Sequence, residues 1–391
     1  MKERIIAVDI ARGLAVLGMF VAHLGYAVDG VPSPSWLVVA DGRPSSLFAI
    51  LAGVSIALFT GGRVVPRDEA LVRGYLRVAT RAIAIFVIGV VLMLLETPVA
   101  VILPSYAVTF LLVMPAIAAR WQLAAFFAGV VAVAGPTLVA ALTVSGDDGE
   151  SWLLRTLGTD EAFVLDLFVT GHYPALVWAA YMLLGLAIGR LDLRARRVQL
   201  TMAVTGLGLL LVGHGGSDLL LSAGAGDSEL GYRLVSAEPH MDSTFELLGN
   251  SGVALLTLAV LLLLTTTAAI ARVARALLYP IAATGAMALT AYSVHIVAIA
   301  ILGVDVVWYP ESNAVLVWFI VVTLVACSLW ARFLGRGPLE RLMRAVTVGG
   351  LPASAPPPGS HAVPGPVAAP GPAPTNPPSA PPAAADRRGE Q

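Results

Sequence analysis

The chain has 391 residues, of which 58% are hydrophobic and 13% charged, and its net charge is −1. A composition this apolar excludes an ordinary soluble enzyme and is typical of a protein that crosses a membrane several times. We expect membrane lipids around it and no nucleic-acid partner. The single cysteine, Cys327, lies in an apolar run and leaves the redox compartment undetermined.

The first apolar run, residues 5–28, carries three ionisable side chains, Asp9, Arg12 and His23. Such groups are costly inside a membrane and are therefore functional candidates. Eleven residues separate Arg12 from His23, close to three helical turns, so both lie on one face, roughly 16 Å apart along the axis. Asp9 lies one turn before Arg12, a spacing that permits an ion pair. The alternative is an interfacial Asp–Arg pair and a buried, hydrogen-bonded histidine.

Ten apolar runs are long enough to span a bilayer, and we predict an all-α, polytopic membrane protein. The runs fall at residues 5–28, 45–61, 80–96, 99–118, 122–144, 172–190, 198–214, 246–268, 277–302 and 313–334.

Basic residues set the predicted orientation, because cytoplasmic loops of membrane proteins carry an excess of lysine and arginine. With both termini inside, 21 of the 24 basic residues lie on the cytoplasmic side, and only Arg43, Arg155 and Arg233 lie outside. The two long outer loops are then residues 145–171, predicted to hold an amphipathic surface helix, and residues 215–245.

The composition changes near residue 349, where a segment rich in proline and alanine begins. It has no core-forming pattern, so we predict a disordered cytoplasmic tail at residues 349–391 and one transmembrane domain at residues 1–348.

Five of the six histidines map to the outer half of the predicted bundle or to its outer surface: His23, His172, His214, His240 and His295. Their spacings match no zinc motif, so we expect no metal. Tyr173, Pro174 and Trp178, near the start of the sixth run, are predicted to form an aromatic belt at the membrane interface and a helix start. The alternative is a platform that binds substrate.

The sequence resembles a known family in several stretches. The segment RIIAVDIARGLAVLGMFVAH, residues 4–23, and the segment DGRPSSLFAILAGVSIAL, residues 41–58, resemble the heparan-α-glucosaminide N-acetyltransferase-like membrane proteins. The later segments resemble a related bacterial group classed with transmembrane acyltransferases: residues 170–190, 239–255, 285–293 and 336–344. The resemblance covers nearly everything except the tail. It implies a multi-pass protein of the bacterial cell membrane.

The resemblance also implies a reaction, the transfer of an acyl group, with acetyl the first expectation, from cytoplasmic acyl-CoA to a hydroxyl or amine at the outer face. The acceptor would be a glycan, a lipid or a small molecule. The arginine and histidine of the first helix match the pattern of the wider membrane O-acyltransferase families, in which that histidine is taken as the catalytic base. The heparan-type enzymes differ, with asparagine where His23 stands and their catalytic histidine in the first outer loop, where this chain has none.

On this hypothesis His23 is the base, Arg12 binds CoA phosphate, and Arg43 binds an anionic acceptor or stabilises charge on the thioester oxygen. Arg43 is equally explained as an arginine reaching the interface. The candidates for acceptor binding are His240, Asp242, Glu246 and His295. For Asp242 a hydrated loop and helix cap explain the residue as well.

The alternative function is a proton-coupled transporter or flippase, which the buried Asp–Arg pair and the outer histidines would also suit. Against it, the sequence shows no clear inverted repeat and no paired broken helices. A third possibility is a membrane scaffold whose proline-rich tail binds a partner. The sequence is compatible with an oligomer and does not identify one.

Overall fold

The computed structural model describes residues 4–28, 31–143 and 162–349, and it confirms the predicted all-α architecture. The helices are α1 (Ile6–Leu24), α2 (Arg43–Phe59), α3 (Asp68–Met93), α4 (Leu103–Val113), α5 (Trp121–Thr143), α6 (Ala162–Leu165), α7 (Ala175–Gly189), α8 (Arg196–Leu210), α9 (Gly216–Ser222), α10 (Glu229–Val235), α11 (Thr244–Thr266), α12 (Ala271–Leu277), α13 (Tyr279–Ala286), α14 (Ala288–Leu302), α15 (Asp305–Trp308), α16 (Ala314–Phe333) and α17 (Pro338–Gly349).

Shorter elements complete the described chain. Two-residue strands β1 (Ala27–Val28) and β2 (Val31–Pro32) pair antiparallel, with Ala27 opposite Pro32. Turns of 3₁₀-helix cover Ser35–Ala40 and Met114–Ala118, and π-helical turns cover Asp166–Thr170 and Leu211–Gly215.

Seven helices in the described residues are long and apolar enough to cross a membrane, or up to nine if each of two bent pairs counts as one span. A shorter apolar helix, Leu103–Ala118, coincides with the predicted fourth run. All ten predicted runs thus fall on helices, whereas ten complete spans and the orientation with both termini inside stay predictions.

One bent pair, α13 with α14, lies in the run 277–302 that is predicted as a single helix, whereas the other joins α7, in the run 172–190, to a helical turn in the predicted outer loop 145–171. The turn Phe163–Thr170 meets α7 at 52°, and α13 meets α14 at 84°. The second break frees N–H groups at the start of α14, and Glu340 of α17 accepts them: Leu289 N lies 2.9 Å and Thr290 N 3.1 Å from its Oε1. A carboxylate at a helix N-terminus also complements the helix dipole. The predicted absence of broken helices is therefore wrong.

Glycines allow the central helices to approach closely. A Cβ at Gly185 of α7 would lie 1.9 Å from the carbonyl oxygen of Ile50 in α2, and one at Gly285 of α13 would lie 1.8 Å from the carbonyl oxygen of Asp9 in α1. Where lipid replaces water, such packing rather than the hydrophobic effect holds helices together. The α2–α7 and α1–α13 crossings therefore fix the position of α1.

The two ends of the bundle differ in chemistry. Helices α1 and α2 run antiparallel, because Arg12 donates to Ser55 while Gly18 packs on Pro44. The end with Arg12 and Ser55 is called here the N-terminal end. The opposite end, with His23 and the start of α2, is called the histidine end.

Two predicted features lie largely outside the described residues. They are the tail, of which only Gly349 is described, and the surface helix of loop 145–171, described only from residue 162. In the other outer loop, residues 215–245, the structure places α9 and α10.

Replacing Gly185 by alanine should destabilise the bundle, because the new methyl group collides with a backbone oxygen rather than a movable side chain. Overpacking typically costs about 1–3 kcal/mol. Gly129→Ala in α5 is the matched control, because a Cβ there meets nothing within 4 Å. We expect a lower midpoint of thermal unfolding in detergent for Gly185→Ala and an unchanged or higher one for Gly129→Ala. Equal midpoints would contradict the close crossing.

Candidate active site

His23, in the last turn of α1, forms a direct pair with His295 of α14. Their Nδ1 and Nε2 atoms lie 3.0 Å apart, and the rings are nearly parallel, at 8° with centroids 5.3 Å apart. His295 is 2% exposed and its ring packs on Phe20, whereas His23 is half-buried. The pair therefore has one buried member and one member that solvent or substrate can reach.

The hydrogen bonds assign the protons of this pair. His295 Nδ1 lies 2.5 Å from the carbonyl oxygen of Tyr292, which can only accept, so Nδ1 carries a hydrogen. In neutral His295 the Nε2 atom is then an acceptor, and the hydrogen of the His23–His295 bond comes from His23 Nδ1. His23 Nε2 is left with a free lone pair. An orienting partner on one nitrogen and a bare second nitrogen are what a histidine base requires.

Two further histidines complete what is called here the histidine cluster: His23, His172, His240 and His295. The rings of His172 and His240 have centroids 3.8 Å apart, and His172 is exposed. The pKa of His240 is lowered to about 3, mainly by burial and then by the charges of His172 and His23. His240 is thus neutral at physiological pH. The structure brings these four histidines to one end of the bundle, and their placement on the outer side of the membrane stays a prediction.

Glu246 organises the loop that carries His240. His240 and Asp242 have positive φ angles, 64° and 53°, which residues other than glycine rarely adopt. The Glu246 carboxylate accepts both of their backbone N–H groups, at 3.0 and 2.7 Å, and accepts from Asn250 Nδ2 at 3.2 Å. Its own N–H is capped by Ser243 Oγ at 3.0 Å. Glu246 therefore holds a strained loop in place and acts as a positioning residue.

Asp242 lies between the loop and α7. Trp178 Nε1 donates to its Oδ1 at 2.9 Å, and Trp178 packs edge-on against Tyr173 and Tyr181. Burial, and then the charge of Glu246, raise the pKa of the Asp242 carboxyl well above its usual value. Trp178 is 3% exposed and Tyr173 8%, so the predicted interface belt is wrong for both: they pack inside the protein beside the cluster.

A second polar group lies at the other end of α1. It is called here the Arg12 cluster and consists of Arg4, Asp9, Arg12 and Arg81. Asp9 accepts from Arg4 at 2.5 Å and from Arg12 at 3.1 Å, which confirms the predicted Asp–Arg pair. Arg12 also donates to Ser55 Oγ at 2.6 Å. Arg81 lies over the ring of Phe59, close enough for its charge to interact with that of Arg12. The cluster holds three cations and one carboxylate. Its net positive charge favours the binding of an anion.

The structure brings only some of the predicted site residues together. His23 meets His295, and His240, Asp242 and Glu246 share one loop and helix start. Arg43 has no contact with His23 among the contacts of the described residues: its guanidinium is exposed and donates to the carbonyl oxygen of Val38 at 3.0 Å. Arg43 therefore lies at the surface of this end.

Sequence reasoning missed two members of the clusters. His172 was placed at the outer face without a partner, and only the bend before α7 brings it onto His240. Arg81 lies in the predicted run 80–96 and counts in the sequence analysis only among the basic residues of the cytoplasmic side. Its position four residues after Arg77, at the edge of an apolar run, was a signal that the helix carries arginines into the bundle. In the described residues no group of three or more His, Cys, Asp or Glu could hold a metal ion.

Comparison with known proteins gives two family matches. The model described as "heparan-alpha-glucosaminide N-acetyltransferase, catalytic" matches residues 4–221, more than half of the chain. The model described as "protein of unknown function (DUF418)" matches residues 218–350. No curated protein matches the chain. These matches confirm both parts of the resemblance, and with the apolar helices they lead to one conclusion: the chain is a multi-pass membrane protein that belongs to the heparan-alpha-glucosaminide N-acetyltransferase catalytic family.

Proposed function

We propose that this protein is a membrane acyltransferase that moves an acyl group from acyl-CoA at the N-terminal end to a hydroxyl or amine at the histidine end. The N-terminal end would face the cytoplasm. Acetyl-CoA is the donor that the family match favours. The acceptor is a glycan, a lipid or a small molecule.

The observation that carries this proposal is the bare Nε2 of His23. On approach of the acceptor, His23 Nε2 takes the proton from its hydroxyl or amine, and the oxygen or nitrogen bonds to the acyl carbon. The C–S bond of the thioester breaks, and the CoA thiolate leaves and takes up a proton. His295 holds the His23 ring in the orientation and tautomer that this step needs, because its own Nδ1 is committed to Tyr292.

The remaining members of the histidine cluster suit the acceptor. His240 is neutral and its Nδ1 is buried with no partner among the described residues, so it offers a ring nitrogen for a hydrogen bond to the acceptor. Asp242 lies beside it, and Glu246 fixes the loop rather than binding the acceptor directly. Arg43, at the surface of the same end, would attract an anionic acceptor rather than reach the thioester oxygen.

The donor would bind with its phosphates at the Arg12 cluster and its pantetheine arm along α1. The axial distance to His23, roughly 16 Å, is comparable to the length of that arm. Val16 and Met19, which lie between Arg12 and His23 on this face, are buried in the present state. The proposal therefore includes a conformational step in which neighbouring side chains or helices move away from this face before transfer.

Proton-coupled transport is the second candidate, and the two bent helix pairs favour it. Transporters commonly place their binding sites at broken helices. Here His172 lies at one break, and His295 lies on α14, which begins at the other. The Asp9–Arg12 pair would serve such a protein as well.

His23→Ala should lower acyl transfer by about 10²–10⁴-fold, the usual contribution of a general base, while CoA binding changes little. The measurement is release of free CoA thiol from acetyl-CoA by the purified protein in nanodiscs, with binding followed separately. In wild type the rate should rise with pH on its acid limb, because the base works unprotonated. His214→Ala, at the same end, is the control. Undiminished thiol release by His23→Ala would exclude the base role.

Arg12→Gln should weaken CoA binding because it removes a charge-assisted contact to phosphate. The loss should be about 1.5–3 kcal/mol, or roughly 10- to 150-fold in Kd. The control is Arg73→Gln, which removes a half-buried arginine paired with Glu69. Calorimetry on detergent-solubilised protein measures both. If wild type binds no CoA and vesicles show proton-dependent solute flux instead, transport replaces transfer as the function.

His295 acts through His23, so its variants should separate positioning from packing. His295→Phe should lower kcat by about 10–100-fold, by analogy with other orienting partners of histidine, with KM little changed. His295→Gln retains a side-chain acceptor for His23 Nδ1 and should recover part of kcat. If both variants lose activity equally, or only KM rises, the proton assignment is wrong.

A further inference from the structure

A cavity of about 750 Å³ lies at the N-terminal end, apart from the Arg12 cluster. Its walls are the loop between α2 and α3, the starts of α3 and α5, and Arg190 after α7. The residues that line it are Arg63, Val64, Val65, Pro66, Arg67, Ala70, Arg120, Trp121, Gln122 and Arg190. This volume lies within the usual range of ligand sites, about 300–1,000 Å³.

The cavity is strongly cationic. Four arginines line it, and its described lining contains no carboxylate. Arg63 is paired with Asp192 at 2.8 Å, outside the lining. Arg67 and Arg120 form no ion pair with any carboxylate of the described residues. Two full positive charges are thus left at one concave surface without a counter-ion, which favours an anionic ligand.

Arg190 adds a buried donor. The residue is 4% exposed, and its terminal nitrogens are committed to the carbonyl oxygens of Gly62 at 2.8 Å and Ile117 at 2.7 Å. Its Nε is buried and has no hydrogen-bond partner among the described residues. The Arg190 guanidinium therefore adds a fixed positive charge to the wall of the cavity, which stabilises an anion there.

The backbone supports the same ligand chemistry. Helix α3 begins at Asp68 and α5 begins at Trp121, so both helices start at the cavity wall. The first N–H groups of a helix have no partner within it and carry partial positive charge. The start of α5, whose first turn carries no acidic residue, and the three accessible arginines together suit a phosphate better than a carboxylate or a neutral group.

The surroundings indicate where the phosphate comes from. Val64 and Trp121, which line the cavity, are 72% and 45% exposed, and the adjoining faces of α3 and α5 expose Val72 and Phe126. In a membrane protein such faces contact acyl chains, and tryptophan beside arginine is typical of the headgroup level. A phospholipid would place its phosphate in the cavity and its acyl chains against the apolar border. A soluble nucleotide has no acyl chains to bury there.

We propose that this cavity binds the phosphate headgroup of an anionic phospholipid, with the acyl chains lying along the apolar faces of α3 and α5. The site is separate from the proposed transfer of an acyl group and would serve to anchor the N-terminal end in an anionic leaflet.

The test is lipid binding by the full chain, measured by native mass spectrometry from detergent. The probes are dioctanoyl phosphatidylglycerol, dioctanoyl phosphatidylcholine, inorganic phosphate and CoA. Wild type should retain phosphatidylglycerol in preference to phosphatidylcholine. Arg67→Gln/Arg120→Gln should weaken phosphatidylglycerol binding by about tenfold or more, because two charge-assisted contacts are lost. The control double variant Arg73→Gln/Arg344→Gln removes the same charge from positions outside the cavity lining and should bind as wild type does.

The outcomes separate the sources of phosphate. If the Arg67/Arg120 variant loses CoA or inorganic phosphate while phosphatidylglycerol binding is unchanged, the cavity holds a soluble phosphate and the lipid proposal is overturned. Equal loss in both double variants would show a general effect of charge and would also overturn it. If the variant fails to fold, photo-crosslinking of wild type with an azido-phosphatidylglycerol decides the question. Label in the segments 63–70 and 120–122 supports the site, and label confined to other segments excludes it.

Discussion

The architecture depends on supplying acceptors for buried backbone N–H groups that no helix pairs, at the break before α14 and in the loop before α11. Water is not at hand to bind such groups, so each costs several kcal/mol if left unpaired. Two glutamates meet the requirement. Glu340 accepts from the start of α14, and Glu246 accepts from the loop before α11. Both carboxylates gain from the positive end of the helix dipole.

The same two glutamates position the histidines of the candidate active site. The break before α14 sets the direction of the helix that carries His295, and the loop held by Glu246 carries His240. Neither glutamate needs to touch a substrate to matter for chemistry. Loss of either would leave several N–H groups without partners and would move a histidine, so changes at these positions act on geometry before they act on charge.

Helix α1 connects the two ends because it is held at fixed height and rotation. Its close crossing with α13, where a Cβ at Gly285 would lie 1.8 Å from the Asp9 carbonyl, leaves no room for sliding. Arg12 is thereby fixed beside Ser55 and His23 beside His295. A protein that handles an anion at one end and a proton at the other needs such a rigid axis, whether it transfers an acyl group or carries a solute.

The sequence by itself determined what depends on local chemistry: the helical class, the apolar runs, the Asp9–Arg12 pair at its spacing of three, and the gathering of histidines at one end. These follow from composition and helical periodicity, which act over a few turns. Only the tertiary structure decided which histidine meets which. His23 and His295 are 272 positions apart, and the break that aims α14 is capped by Glu340, about 50 residues downstream. It also decided that Arg43 bonds to the carbonyl oxygen of Val38 and that Trp178 is buried, because side-chain partners across a bundle are fixed by helix crossings and bends rather than by any pattern along the chain.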